Sequence, residues 1–246
     1  MGAVELVLTR HGESLGNVAA AKAEADEAEF IEVLARDADV ELSDTGQEQA
    51  RSLGALLKKW SPDQLPQSVW SSPYRRAADT GRLALDAAGL DLPLRIDERL
   101  RDRELGVLDR LTTRGVEARF PEEAARRRWL GKFYHRPPGG ESWADLALRM
   151  RSLLADVDRV EDGRRVLLVC HDAMVVVTRY VCEGLSESDV LDITRTTAIR
   201  NVSVTRLRRP SGEGEWTLDL FNDVSHLEKQ DVPVTRHPGV PDVAPR

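Results

Sequence analysis

Arg10-His11-Gly12-Glu13-Ser14, followed by Asn17, is the stretch of this sequence richest in groups that could do chemistry. It joins a guanidinium fork that can grip an oxyanion to an imidazole that can attack when neutral. Gly12 lets a backbone carbonyl come close enough to fix which ring nitrogen keeps its proton. Such a set suits reaction at an anionic centre. A lone histidine after a strand is more often structural than catalytic, so the stretch needs partners from elsewhere in the chain. His171 stands at a comparable junction, in Val169-Cys170-His171. Arginine greatly outnumbers lysine, which occurs only at 22, 58, 59, 132 and 229. Any anion site is therefore expected to be built from guanidinium groups, although genome base composition accounts for most of this bias.

Both histidines follow short apolar runs, residues 4–9 and 166–170, which read as buried strands delivering side chains to their carboxyl edges. Between them, residues 13–36 are alanine- and acid-rich with a weak helical pattern, and read as two helices or as a helix and a mobile excursion. Residues 47–60 carry a helix after the turn Leu42-Ser43-Asp44-Thr45-Gly46. Residues 68–70 read as a brief strand, and Ser71, Ser72 and Pro73 suit the start of a helix running to residue 88 before Gly89. Residues 94–96 suggest a third strand. Residues 141–160 form the strongest amphipathic helix, with Leu146, Met150, Leu153 and Val157 on one stripe, and a buried helix is expected over 174–181. Residues 201–207 and 215–220 alternate as paired strands. This order predicts an α/β fold: a three-layer α/β/α sandwich, its mostly parallel sheet covered by helices on both faces, with ligands beyond the carboxyl ends of the strands. One domain over 1–227 is expected, and the proline-rich, apolar-poor residues 228–246 read as a disordered tail.

Several blocks, in order, resemble the histidine phosphatase superfamily, also called the phosphoglycerate mutase-like family. Arg10-His11-Gly12 is similar to its R-H-G triplet. Leu42 to Gly46 with Gln49-Ala50 looks like its L-T/S-x-x-G-x-x-Q-A block, and Ser71-Ser72-Pro73-Tyr74-Arg75-Arg76-Ala77 with Thr80 like S-S-P-L-x-R-A-x-x-T. Pro138-Gly139-Gly140-Glu141-Ser142, Val169-Cys170-His171 and Asn201 to Ser203 complete the likeness, which runs from about Val4 to Leu227. The resemblance implies that His11 is a nucleophile that carries the phosphoryl group, and that Arg10, Arg76, Asn17 and His171 hold the phosphate. It casts Gly12, Ser71 and Glu141 as supports behind them. Glu141 is equally placed to begin a helix through its charge. The chemistry is coherent: phosphoryl transfer has a loose transition state with charge spread over three oxygens, so positioned cationic donors supply most of the catalysis.

The leaving oxygen needs a proton. The family pattern E-x-x-F/Y-G is not met as such; Asp102-Arg103-Glu104-Leu105-Gly106 puts Asp102 in register, with Glu104 the alternative and Asp172, beside His171, a third candidate. Trp129, Phe133, Tyr134 and Trp143 are expected to pack the domain.

Hydrolysis of a small phosphorylated metabolite is the function this favours. Two rivals remain: a cofactor-dependent phosphoglycerate mutase, and a protein that binds a phosphorylated ligand without turnover. Against the mutase, the segment after Asn17 lacks an S-x-F-T-G-W element. The net charge of −7 argues against a nucleic-acid partner. No segment has the length of a membrane span, nor does the start look like a leader, so the cytoplasm is the expected location. No cofactor and no metal are expected; Cys170 and Cys182 read as buried thiols. A homodimer is left open.

Overall fold

The computed structural model describes residues 1–237. Among them lies a six-stranded sheet built on β1 (Glu5–Arg10), whose side chains are buried along its whole length. The other strands are β2 (Ser68–Ser71), β3 (Leu94–Ile96), β4 (Arg165–Cys170), β5 (Val204–Arg208) and β6 (Thr217–Asp223), in the order β3-β2-β4-β1-β5-β6. The pairs β1–β4, β2–β4 and β2–β3 are parallel, and β5 runs antiparallel to both β1 and β6. Register places Arg10 beside Cys170. Arg10-His11 and Cys170-His171 therefore leave the sheet side by side, which is what brings two histidines distant in sequence to one edge.

A two-residue side-chain period lets one strand serve two cores. Leu6 and Leu8 of β1, with Val166, Leu168 and Cys170 of β4, pack against Leu146, Met150, Leu153 and Val157 of α6 (Trp143–Val160) and Met174 to Val177 of α7 (Asp172–Cys182). Val7, Val69, Leu167 and Val169 face the opposite way, onto Leu53 and Leu57 of α2 (Asp44–Leu57) and Ala77, Ala84 and Leu85 of α3 (Arg75–Ala88). The result is the three-layer α/β/α arrangement. Further helices α1 (Leu15–Ala25), α4 (Thr113–Arg119), α5 (Pro121–Tyr134), α8 (Glu187–Thr196) and the short α9 (Ser225–Glu228) complete the described chain.

Of the two arrangements expected for the 13–36 region, the structure has the single helix, α1, followed by an irregular stretch that ends in a 3-10 turn at 37–39. Two local expectations change. α3 starts at Arg75 rather than at Pro73; Ser72 Oγ instead accepts the Tyr74 N–H at 3.1 Å, closing a tight turn before the helix. Disorder from residue 228 does not describe 228–237. There the Asn201 N–H bonds to the Thr235 carbonyl, and Gln49 Nε2 donates to the Pro233 carbonyl and Thr235 Oγ1. Residues 238–246 lie outside the described residues. Among the aromatic residues, Phe133 and Trp143 are buried, whereas Trp129 and Tyr134 are exposed.

Close backbone approach fixes the loop after β1. A Cβ on Gly46 would lie 1.9 Å from the Glu13 carbonyl oxygen, and one on Gly12 would lie 2.4 Å from the Gly46 carbonyl oxygen. Gly46 sits in the first turn of α2, where helix propensity alone makes alanine better by about 1 kcal/mol. Gly46→Ala is nevertheless expected to cost about 1–3 kcal/mol, because backbone would have to move. A lowered urea midpoint is the predicted result; an unchanged or raised midpoint would show that the two loops are not locked together.

Candidate active site

His11 is 2% exposed, and its backbone is pinned on all sides. Its N–H donates to the Cys170 carbonyl at 2.9 Å, and its carbonyl accepts Asn201 Nδ2 at 2.9 Å. The Gly12 N–H donates to Thr80 Oγ1 at 3.0 Å, while the Thr80 hydroxyl donates to the Arg76 carbonyl at 2.7 Å. Next to Asn201, Val202 has φ 54 and its N–H bonds to the Arg10 carbonyl. A β-branched residue in the left-handed region is strained and persists only where its surroundings hold it there.

The ring itself has a defined tautomer. Nδ1 lies 2.7 Å from the Gly12 carbonyl oxygen, which can only accept, so Nδ1 carries the proton. Nε2 then keeps its lone pair, and Arg76 Nε donates to it at 3.2 Å. The pKa of His11 is held well below its ordinary value, first by burial and then by the charges of Arg76, His171 and Arg10. A neutral imidazole with a directed lone pair is the form that can attack phosphorus.

Arg76, on the first turn of α3, is almost wholly buried, and each of its nitrogens is engaged. Besides His11, it donates through one terminal nitrogen to the Asp37 carbonyl at 2.7 Å and to Asp37 Oδ1 at 2.9 Å. The other reaches Asp102 Oδ2 at 3.1 Å and Asp37 Oδ2 at 3.3 Å. Arg10 donates to the Ile199 carbonyl at 2.5 Å and to the His237 carbonyl at 3.3 Å, while its buried Nε has no hydrogen-bond partner among the described residues. His171 sits with its ring centroid 5.1 Å from that of His11. Its Nε2 is 2.9 Å from Ser72 Oγ, and its Nδ1 stands 3.3 Å from Asp102 Oδ2, out of line for a hydrogen bond. Asn17 is joined less directly. Its Oδ1 accepts the Ser14 N–H and Asn201 Nδ2, leaving the amide NH2 as its donating end.

Asp102 and Glu104 separate clearly. Asp102 touches Arg76 and His171, and its Oδ1 accepts the Arg103 N–H at 2.8 Å. Burial pushes its carboxyl up, but His171, Arg76 and that N–H hold it well below the ordinary carboxylate range. Glu104 is exposed and accepts the Tyr74 hydroxyl at 2.8 Å. Asp172, the first residue of α7, turns to its own helix and accepts the Ala173 N–H at 2.7 Å. The hydroxyl of Ser71 turns to the Ser72 carbonyl, so Ser72, not Ser71, meets His171.

Glu141 acts through the loop that carries Asp102. Its carboxylate accepts Arg101 at 2.6 Å, Arg149 at 3.0 and 3.1 Å, and the Glu104 N–H at 3.1 Å. Arg149, which sequence reasoning did not single out, also donates to the carbonyls of Arg99, Arg101 and Asp102. Its one sequence signal is a cation beside the apolar stripe of α6. Asp37 was likewise unnamed, and the 18–39 region around it has no pattern that would have flagged it. Among the described residues, no three His, Cys, Asp or Glu gather as metal ligands do, and no helix is long and apolar enough to cross a membrane. A cleft of about 430 Å³, lined by Arg151, Asp158, Cys182, Arg209 and Trp216 among others, contains none of these site residues.

The chain is similar to known proteins over most of its length. The family described as histidine phosphatase superfamily (branch 1) matches residues 6–224. A glucosyl-3-phosphoglycerate phosphatase of Mycobacterium tuberculosis is 30% identical over 236 residues, covering 90% of this chain and 96% of the relative. A probable phosphoglycerate mutase of an Enterobacter species is 28% identical over 234 residues, 92% of this chain and 95% of its own. Among solved structures, the mycobacterial glucosyl-3-phosphoglycerate phosphatase complexed with VO3 superposes with a TM-score of 0.71 at 29% identity, covering 90% of this chain and all of that one.

The depressed His11 pKa is open to direct measurement. Imidazole resonances followed by NMR are expected to report a neutral, Nδ1-protonated ring at pH 6.5, charging only at clearly lower pH. A midpoint at or above 6.5 would mean that burial and the neighbouring cations do not act as described.

Proposed function

Because the chain belongs to the histidine phosphatase superfamily, branch 1, we propose that it hydrolyses phosphomonoesters of small metabolites through a phosphohistidine on His11, without a metal ion. One observation carries the reading: the His11 lone pair at Nε2 faces the buried Arg76 guanidinium while Nδ1 is tied to the Gly12 carbonyl. A phosphate drawn to Arg76 and Arg10 meets the nucleophile there. The charge on its oxygens is met by guanidinium groups, by His171 and by the amide of Asn17.

In the first half-reaction, Nε2 attacks phosphorus in line and the bond to the ester oxygen breaks. That oxygen leaves with the proton of the Asp102 carboxyl. In the second, a water oxygen attacks phosphorus, Asp102 takes its proton, and the phosphorus–nitrogen electron pair returns to Nε2. One water is consumed, and both side chains are restored. Asp102 is ionised in the free protein, so it must gain a proton on binding. An arriving phosphate engages the same Arg76 nitrogens and sets negative charge beside the carboxylate, and both effects raise the carboxyl pKa. Glu141 and Arg149 hold the backbone of this loop and so position the acid without touching substrate.

A second reading, return of the phosphoryl group to another hydroxyl, has support in the mutase-named relative. A primed enzyme that moves phosphate between hydroxyls of phosphoglycerate faster than it releases it would favour that reading. For hydrolysis, the expectation concerns leaving groups. Asp102→Asn should slow phosphate release from an alkyl ester by a factor on the order of 10²–10⁴, the usual worth of a positioned acid. With an activated aryl ester, whose leaving oxygen needs little protonation, the loss should be much smaller. Equal losses on both, or the same selective loss from Glu104→Gln, would remove Asp102 from this role.

A further inference from the structure

Asp37 lies on the one phosphate-binding arginine that touches the nucleophile, although it comes from the irregular stretch after α1. Its backbone carbonyl and both carboxylate oxygens accept from Arg76, at 2.7, 2.9 and 3.3 Å. The pair is unequal in exposure: the Arg76 side chain is 5% exposed and that of Asp37 48%. A phosphate that takes Arg76 can therefore turn the Asp37 carboxylate outward, but the backbone contact keeps the residue at the rim.

That rim is already anionic. The Tyr74 phenol is held above its ordinary pKa by burial and then by Glu104, with Asp37 and Asp102 adding to the effect. The Asp109 carboxyl is likewise held up, by partial removal from water and next by the charge of Asp37, with Glu104 contributing. Asp37, paired with Arg76, and Glu104, on the hydroxyl of Tyr74 whose ring lies 5.0 Å from the Arg76 guanidinium, thus flank one phosphate-binding cation. Of the cations nearest in sequence, Arg36 pairs with Asp39 at 2.9 Å, Arg75 with Glu41 at 2.5 Å and Arg103 donates to the Glu141 carbonyl at 2.7 Å, while Arg110 offsets part of the negative charge at Asp109. Arg10 and Arg76 at the floor of the site suit one phosphate, while the half-exposed Asp37 and the exposed Glu104 bring negative charge to its solvent side.

We propose that Asp37 is a specificity-determining residue, which admits phosphomonoesters whose leaving alcohol is uncharged or cationic and disfavours those carrying a carboxylate or second phosphate close to the ester. The assignment rests on the phosphatase reading for turnover. It separates this chain from the glycerate acids for which its relatives are named, since a carboxylate two carbons from the ester oxygen would meet Asp37 and Glu104.

A matched pair of substrates tests it: glycerol 3-phosphate and 3-phosphoglycerate, which differ by an alcohol against a carboxylate. Wild type is expected to favour glycerol 3-phosphate in kcat/KM. Asp37→Asn, which keeps the backbone acceptor and an amide oxygen for Arg76, should narrow that preference by roughly three- to tenfold, chiefly by a gain on the acid. Asp39→Asn, in the same 3-10 turn but paired with Arg36, should leave the ratio within about twofold. A structural role for Asp37 would lower both substrates alike. The assignment is overturned if wild type handles the two equally or prefers the acid, if Asp37→Asn leaves the ratio unmoved, or if Asp39→Asn shifts it as much. Calorimetric binding of the same two ligands separates the underlying readings: absence of turnover would refute hydrolysis, and the ratio of Kd values would still decide the role of Asp37.

Discussion

Arg10 and Arg76 are each 4% exposed, and a guanidinium stripped of water must find carbonyls or anions in exchange. The way that demand is met organises this protein. Arg10 takes the carbonyls of Ile199 and His237, and Arg76 takes Asp37, Asp102 and the lone pair of His11. Two cations and two buried imidazoles at one edge of the sheet keep both rings from charging easily. They also leave Asp102 ionised and line the pocket with donors that suit anionic oxygen. Burial first, and these charges second, keep His11 neutral, and the same charges underlie the proposed affinity for phosphate.

The frame that holds this charge is stiff for reasons of packing. β1 and β4 lie side by side in the middle of the sheet, each facing a hydrophobic core on both sides, so their ends cannot shift independently. Around them, Thr80, Asn201 and the strained Val202 bind the backbone of residues 10–12, and the glycine contacts among residues 12, 13 and 46 leave no slack. The loop bearing Asp102 is built differently. It is hung by hydrogen bonds from Glu141 and Arg149, with Arg149 rooted on α6. The proposed nucleophile, held rigidly, and the proposed acid, held by tethers, are therefore supplied by separate parts of the fold.

Much of this was legible in the sequence, because the features involved are local. A short apolar run followed by Arg10-His11-Gly12 marks a strand and what stands at its end. The stripe of α6 and the alternation of β5 and β6 likewise encode their partners within a few residues. What escaped the sequence depends on distance. Asp37 reaches Arg76 across 39 positions from a segment with no periodicity. The chain at 233–237 returns to Gln49 and Asn201 through backbone groups that composition cannot reveal, so proline content there suggested disorder instead. Ser71 and Ser72 were interchangeable as letters; only the end of β2 decides that Ser72 faces His171.

The account is tested most directly by catching the phosphoryl group on the protein. Rapid mixing with a phosphomonoester and denaturing quench, followed by peptide mapping, is predicted to locate phosphate on His11, stable in alkali and labile in acid, and absent from His11→Ala. Phosphate found on another residue, or a bond that survives acid and breaks in alkali, would contradict it.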